Sequence, residues 1–450
     1  MQSLLDLYGG RLQQQHALGE SEFAALQMAE KQIDRPDSRA ALFWRWMLRA
    51  SALTAAKSRD ASNRPSNPPQ SHRAILFSSA RAVPIDDAPF RAGVERVTDW
   101  DQLLAAADFH GLTPLLAAAI ERACRDVVPV HVLRTLNDSR RQAIALNLVL
   151  SNELTRLLTV LNREGISALP LKGPALAEAL YTDPALRPCS DLDILIRRQD
   201  VPEVMRILQR EEYEIEPYLA RMPVPVLLNL DYEAPLRHRR GTRLDIHWEI
   251  ARRDYPFCFD AEVLWNSIIP AHLAGKDVFG VAPESLLVFL CAHGTKHMWA
   301  RLLWLADLDR LTRKNLDWAG AFSLATRIGC ERPLFLGLLL AHEALDSVIP
   351  EPYLKRARAE RTVLSLVEQV MRLYGCAAEA HPSSLELTIF SSRLADRWWD
   401  KVRHYAALLK APTDVELRWL RLPKELFLLY YPLRLSRLIA KYGTRLLRSR

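Results

Sequence analysis

Paired cysteines are missing from this chain. The six present (Cys124, Cys189, Cys258, Cys291, Cys330 and Cys376) are scattered, with no two close in sequence. That spacing excludes a zinc knuckle and a disulfide framework, and a reducing, cytoplasmic setting is expected. Met1–Gly10 has neither the basic start nor the sustained apolar run of a signal peptide, so none is expected. No stretch reaches the roughly 18 uninterrupted apolar residues that argue for a membrane span, and a soluble or peripheral protein is expected. No internal repeat is found. Basic charge over the body is also scarce. The formal net charge is +7, but Arg434, Arg437, Lys441, Arg445, Arg448 and Arg450 stand in a tail without acidic residues and account for nearly all of it. A protein that tracks a polynucleotide spreads such charge over its binding domain, so long RNA or DNA is not an expected substrate.

What is present begins with enough apolar content, 49% of 450 residues, for two or three buried cores. Helical patterns at Leu4–Gln15, Ser21–Ile33 and Arg39–Ala50 precede a polar, proline-bearing stretch, Lys57–His72, expected to be a flexible linker. Residues 1–75 are therefore an extension and linker. From Thr98, taken as a helix cap, to Gly165 the pattern is that of long amphipathic helices. Residues 166–250 change period. A short apolar strand (Ile166–Leu171), a helix from Pro174, a strand at Leu192–Ile196, a helix at Val201–Arg210 and a strand at Tyr213–Glu216 are expected. Two further strands, Ala234–Arg239 and Arg243–Ile250, flank the turn Arg240-Gly241-Thr242. From 251 to 450 helices return, including Pro283–Trp299, Arg301–Arg313 and Arg332–Leu345. The basic tail, with its interleaved leucines, suits either a docked last helix or contact with anionic lipid or an acidic partner, and so a position at the inner membrane face.

The chemistry concentrates between Leu169 and Ile250. Asp191 and Asp193, one residue apart on a strand, project from one face and can touch one cation. Hard divalent ions such as Mg²⁺, or Mn²⁺, take such carboxylates together with substrate phosphates. In Arg243–Ile250 the residues Asp245, His247 and Glu249 share a face, and Leu244, Ile246, Trp248 and Ile250 share the other. If the two strands are neighbours, Asp245 is a third carboxylate, either a metal ligand or a base for an acceptor hydroxyl. Lys172-Gly173 before a helix suits close approach to phosphate, with Arg187 as a second clamp. Ser190 adds a hydrogen-bond donor beside Asp191. Later, His293 and His297 lie four residues apart on one helical face. His297, Lys296 or Arg301 is expected to reach toward a triphosphate, with Trp299 and Trp304 packed between helices.

The order strand, glycine turn, helix, Asp-x-Asp strand, then a strand with a lone Asp resembles the nucleotidyltransferase superfamily typified by DNA polymerase β and the aminoglycoside nucleotidyltransferases. A closer resemblance, over about Asp99–Leu433, is to a bacterial group of nucleotidyltransferase family proteins. It rests on Leu169-Pro-Leu-Lys-Gly-Pro-Ala-Leu-Ala177, Tyr181, Arg187-Pro188, Asp191-Leu-Asp-Ile-Leu195, Leu244-Asp-Ile-His-Trp248 and the run from His293 to Asp307. The resemblance implies an α+β fold, with a small mixed-sheet, polymerase β-like core flanked by N- and C-terminal helical regions. It also implies metal-dependent transfer of a nucleoside monophosphate from a nucleoside triphosphate to a small-molecule, peptide or saccharide acceptor. Where the superfamily usually has Gly-Ser or Gly-Gly, this chain has Gly173-Pro174, which removes one N–H from the phosphate turn. A non-catalytic helical scaffold and a tRNA-modifying toxin or antitoxin component are the alternative functions.

Overall fold

The computed structural model describes residues 70–84, 86–217, 219–220, 222–252, 255–257, 259–374, 384–395, 402, 404, 406, 414–420 and 422–439. By its contacts the chain divides into two units, Ser66–Leu428 and a second made of Met1–Pro65 with Leu429–Arg450. The helical patterns expected before Ala50, and the tail beyond residue 439, lie outside the described residues. So does the expected linker, except its last three residues. Those form the start of a helix, and His72 is buried.

Five helices open the larger unit: α1 (Gln70–Ala80), α2 (Asp87–Val94), α3 (Trp100–Phe109), α4 (Thr113–Ala123) and α5 (Val130–Arg163). The cap of α3 is Asp99 and not Thr98: its carboxylate accepts from the Gln102 N–H at 2.8 Å. The 34 residues of α5 form one continuous helix, closed by Gly165 at φ +75°. By length and composition α5 is apolar enough to cross a membrane. It nevertheless buries Leu150, Leu154, Leu157 and Leu161 within the body at a helical spacing.

The sheet follows, with helices between its strands: β1 (Ala168–Pro170), α6 (Pro174–Leu180), β2 (Leu192–Ile196), α7 (Val201–Arg210), β3 (Tyr213–Ile215), α8 (Val224–Leu230), β4 (Glu233–His238) and β5 (Arg243–His247). The strand order is β1-β2-β5-β4-β3. Only the central β2–β5 pair is parallel; the other three pairings are antiparallel. The mixed sheet amid helices is the expected α+β class. Side-chain alternation leaves Leu192, Ile194, Leu244, Ile246, Ala234 and Leu236 buried on one face. The opposite face carries the polar residues described below.

Next comes α9 (Glu262–Trp265), then a hairpin, β6 (Ile268–Leu273) and β7 (Lys276–Val281), in a region expected to be helical throughout. Its two-residue turn, Ala274-Gly275, has φ +49° and +73°, the positive pair that tight hairpins use. The helical layer comprises α10 (Pro283–Lys296), α11 (Leu302–Thr312), α12 (Trp318–Ile328), α13 (Glu331–Leu345), α14 (Glu351–Arg358) and α15 (Arg361–Leu373), followed by α16 (Ser384–Ser392) and α17 (Asp414–Trp419). In the second unit, α18 (Tyr430–Leu438) is described.

Trp299 anchors this layer. Met298 and Trp299 both take left-handed φ (54° and 51°) just after α10, which turns the indole back beneath the helix. It is fully buried there. A Cβ at Gly294 would lie 2.6 Å from its ring, and one at Gly337 would lie 2.9 Å from it, so only glycine admits the indole between α10 and α13. The Tyr374 hydroxyl donates to the Trp299 carbonyl at 2.6 Å and holds the turn. The turn sets the end of α10, with Lys296 and His297, beside the sheet.

Candidate active site

Register assembles the site. In the parallel β2–β5 pair, Asp193 and Asp245 are direct partners, and in the antiparallel β4–β5 pair Glu233 faces His247. Asp191 stands immediately before β2. The three carboxylates foreseen from the sequence are therefore brought to one end and one face of the sheet. Glu233 joins them from β4.

Asp193 is the most enclosed of the four. One of its oxygens, Oδ1, lies 2.9 Å from Lys172 Nζ and 2.9 Å from His247 Nε2. Burial alone would lower the Lys172 pKa and raise that of Asp193. Their mutual attraction outweighs it, and the His247 contact adds to the effect on Asp193. Lys172 is held above its ordinary range and Asp193 well below the usual carboxylate range. His247 turns its other nitrogen, Nδ1, to Glu233 Oε2 at 3.1 Å, and the Tyr232 hydroxyl donates to Glu233 Oε1 at 2.8 Å. The result is a chain of contacts, Tyr232–Glu233–His247–Asp193–Lys172, buried at His247 and Asp193 and half-buried at its other members.

The other two foreseen carboxylates carry less compensation. Burial, then the charges of Asp193, Glu233 and Asp191, pushes Asp245 up to about 7. Burial and the neighbouring Asp193 likewise raise Asp191, against the pull of Lys172 and Arg243. Asp231, two residues before Glu233, is pushed up to about 6 mainly by burial.

Lys296 reaches in from the end of α10, its ammonium 4.2 Å from the centre of the Tyr232 ring and 3.5 Å from the Ile250 carbonyl. Burial lowers it, while Glu233 and Asp193 pull the other way. The His293 and His297 rings stack edge-on, 4.8 Å apart, and both pack on Trp304. Burial, then Lys172 and the neighbouring His297 and Lys296, holds His293 well below the ordinary histidine range, and burial does the same to His297. His297 and Arg301 are solvent-exposed at the rim, as is Ser190 beside Asp191.

Two foreseen roles are corrected by the geometry. Arg187, expected to clamp phosphate, is 6% exposed, and its fork is taken by Asp307: Nε to Oδ1 at 2.9 Å and Nη2 to Oδ2 at 3.0 Å. Its side chain runs inward from the short turn Pro184–Leu186, away from solvent. His247, expected among the ligand-binding residues, is buried with its two ring nitrogens engaged by Asp193 and Glu233, which leaves neither for a ligand. Gly173 has a positive φ and directly precedes the helix that opens at Pro174. At φ +61° it sits where a Cβ would be 2.9 Å from the Asp191 carbonyl, so the turn and the Asp-x-Asp strand touch. The helix it starts has only seven residues and opens with Pro174, which has no N–H to offer at the first turn.

Glu233, Tyr232 and Asp231 escaped sequence reasoning. Their signal was the Asp-Tyr-Glu run opening a strand, but its meaning depends on the register with His247. A separate cavity of about 670 Å³, lined by Asp260, Glu262, Glu284, Asp317 and Arg327 among others, lies apart from these residues. It contains none of the foreseen groups. Among the described residues, no three His, Cys, Asp or Glu side chains form a ready-made metal cage. A carboxylate-only donor set still suits Mg²⁺, which keeps waters and takes one or two carboxylates plus phosphate oxygens in place of a full protein cage.

Residues 96–346, more than half of the chain, match the model of a family described as uncharacterised nucleotidyltransferase. The match spans every residue of the site, from Lys172 to Asp307. A search of curated proteins gives no match.

Proposed function

The chain belongs to this nucleotidyltransferase family, and from that premise we propose that it transfers a nucleoside monophosphate from a nucleoside triphosphate to a hydroxyl-bearing acceptor, with a divalent cation held by Asp191, Asp193 and Asp245. The observation that carries the proposal is the β2–β5 register, which sets Asp193 beside Asp245 with Asp191 two residues away. A bound Mg²⁺ or Mn²⁺ supplies charge neutralisation for the triphosphate and polarises the reacting oxygens.

The chain's own groups do the rest. Lys172 and Lys296 face the carboxylates as paired cations, suited to the triphosphate and to the pyrophosphate that leaves. Glu233, through His247, fixes the Asp193 carboxylate so that Oδ2 is the oxygen left for a ligand. Asp245, the least compensated carboxylate, accepts the proton of the acceptor hydroxyl. Ser190, His297 and Arg301, at the rim, meet the sugar, base or acceptor. A peptide or saccharide acceptor fits the resemblance noted above.

The test is equilibrium binding of labelled ATP, GTP, CTP and UTP with Mg²⁺ or Mn²⁺. At least one triphosphate is expected to bind, with affinity lost on adding EDTA and reduced on the order of 10–100-fold in Asp193→Asn. Metal-dependent binding that survives both Asp191→Asn and Asp193→Asn would refute the assignment.

A further inference from the structure

Arg187 and Asp307 form the most deeply buried ion pair beside the site, and nothing in the chemistry above uses it. Arg187 is 6% and Asp307 1% exposed, in bidentate contact. The Tyr181 hydroxyl donates to the same carboxylate at 2.8 Å, and the Arg310 guanidinium covers the Tyr181 ring at 4.2 Å. The remaining Arg187 nitrogen, Nη1, is 3.5 Å from the Gly173 carbonyl. The pair thus joins α11, in the helical layer, to the glycine turn of the sheet unit.

The main chain around Arg187 is held from the other side. Asn147, on α5, donates to the carbonyls of Pro184 (3.0 Å) and Arg187 (2.9 Å), and its own carbonyl accepts from the Cys189 N–H (3.0 Å). Two residues further on, the Asp191 carbonyl lies so near Gly173 that a Cβ there would stand 2.9 Å from it. Fixing Arg187 therefore fixes both the Lys172-Gly173 turn and the start of the Asp-x-Asp strand.

Stability alone does not call for such a pair. Replacing a buried ion pair by apolar groups of similar size is often neutral or stabilising, because desolvation offsets the Coulomb attraction. What apolar groups do not reproduce is a directional fork tied at once to a carboxylate and a turn carbonyl. We infer that Arg187 and Asp307 are positioning residues, which hold the Lys172-Gly173 turn at a fixed distance from Asp191 so that a triphosphate can span the two. This rests on the nucleotide site proposed above.

The experiment compares wild type with the triple variant Tyr181→Phe/Arg187→Met/Asp307→Leu, which removes the ion pair and the Tyr181 hydroxyl together. Thermal unfolding, hydrogen exchange and triphosphate binding in Mg²⁺ are measured on the full chain. The triple variant is expected to unfold near the wild-type temperature and to exchange faster over residues 171–177 and 184–193. It is expected to bind triphosphate at least about tenfold more weakly, since a misplacement of about 1 Å can cost far more than its contacts. Wild-type exchange and affinity in the triple variant would overturn the inference. Should the triple variant not fold, Arg187→Lys, which keeps the charge opposite Asp307 but loses the fork, takes its place with the same expected and overturning results. If wild type itself binds no triphosphate, the proposed site fails, and exchange over 171–177 alone decides whether the pair positions the turn.

Discussion

Replacing Asp245 by Asn is expected to abolish nucleotidyl transfer while making the protein more stable at alkaline pH. The loss of transfer follows from removing one carboxylate of three and the acceptor's base, a change on the order of 10²–10⁴-fold in rate. The gain in stability follows from linkage. In the folded protein Asp245 is raised to about 7 by burial and by Asp193, Glu233 and Asp191. In the unfolded chain it titrates near the ordinary carboxylate value of about 3.9. Between those values the folded state holds a proton that the unfolded chain has released, so stability falls as pH rises through that window. Above pH 7 the folded protein carries the full cost of an ionised, crowded carboxylate. Asn carries none of it. In EDTA at pH 8 the variant should exceed wild type by on the order of 2 kcal/mol in denaturant unfolding, and the difference should shrink toward zero near pH 4. Equal stability at both pH values would mean that Asp245 is not crowded by its neighbours.

Gly173→Ala should have the second largest effect, on both folding and ligand binding. At φ +61° and ψ −134° the residue occupies backbone space that is essentially reserved for glycine. An added Cβ would in addition stand 2.9 Å from the Asp191 carbonyl, and neither backbone segment yields cheaply. A loss on the order of 3 kcal/mol is expected, accompanied by triphosphate binding reduced beyond detection. Gly165→Ala is the matched control. Its φ is also positive, at +75°, but nothing lies within 4 Å of the added Cβ. It should cost only about 1–2 kcal/mol and leave binding intact. Comparable losses of binding in the two variants would show that general strain, not the contact with Asp191, is responsible.

Local pattern carried much of the site. Asp191, Asp193 and Asp245 were legible because strand alternation puts such residues on one face without knowledge of the partners, and their register is as a shared sheet requires. Gly173 was legible for the same kind of reason, lying between an apolar strand and a proline-initiated helix. Interactions distant in sequence were not legible. Arg187 reads as a free cation until Asp307, 120 residues later, is found within its fork. Lys172 reads as a phosphate ligand, and only the folded chain gives it Asp193 as a partner. Glu233 is one of many acidic residues until antiparallel pairing sets it opposite His247. The β6–β7 hairpin had a local signal, alternating apolar residues around Ala274-Gly275, but neighbouring helical segments masked it. Likewise, the α3 cap falls one residue after Thr98, at Asp99, whose carboxylate accepts from the Gln102 N–H.

The central claim is that the α-phosphoryl group, with its nucleoside, passes to the acceptor. It is tested most directly by offering the protein and a cell extract the same triphosphate labelled either at the α- or at the γ-phosphate, in Mg²⁺. Transfer of the α label to a macromolecular or small acceptor is predicted, with the γ label released in pyrophosphate and neither event occurring in Asp193→Asn. Transfer of the γ label, with the α label retained in a nucleoside diphosphate, would identify a phosphotransferase and contradict the account.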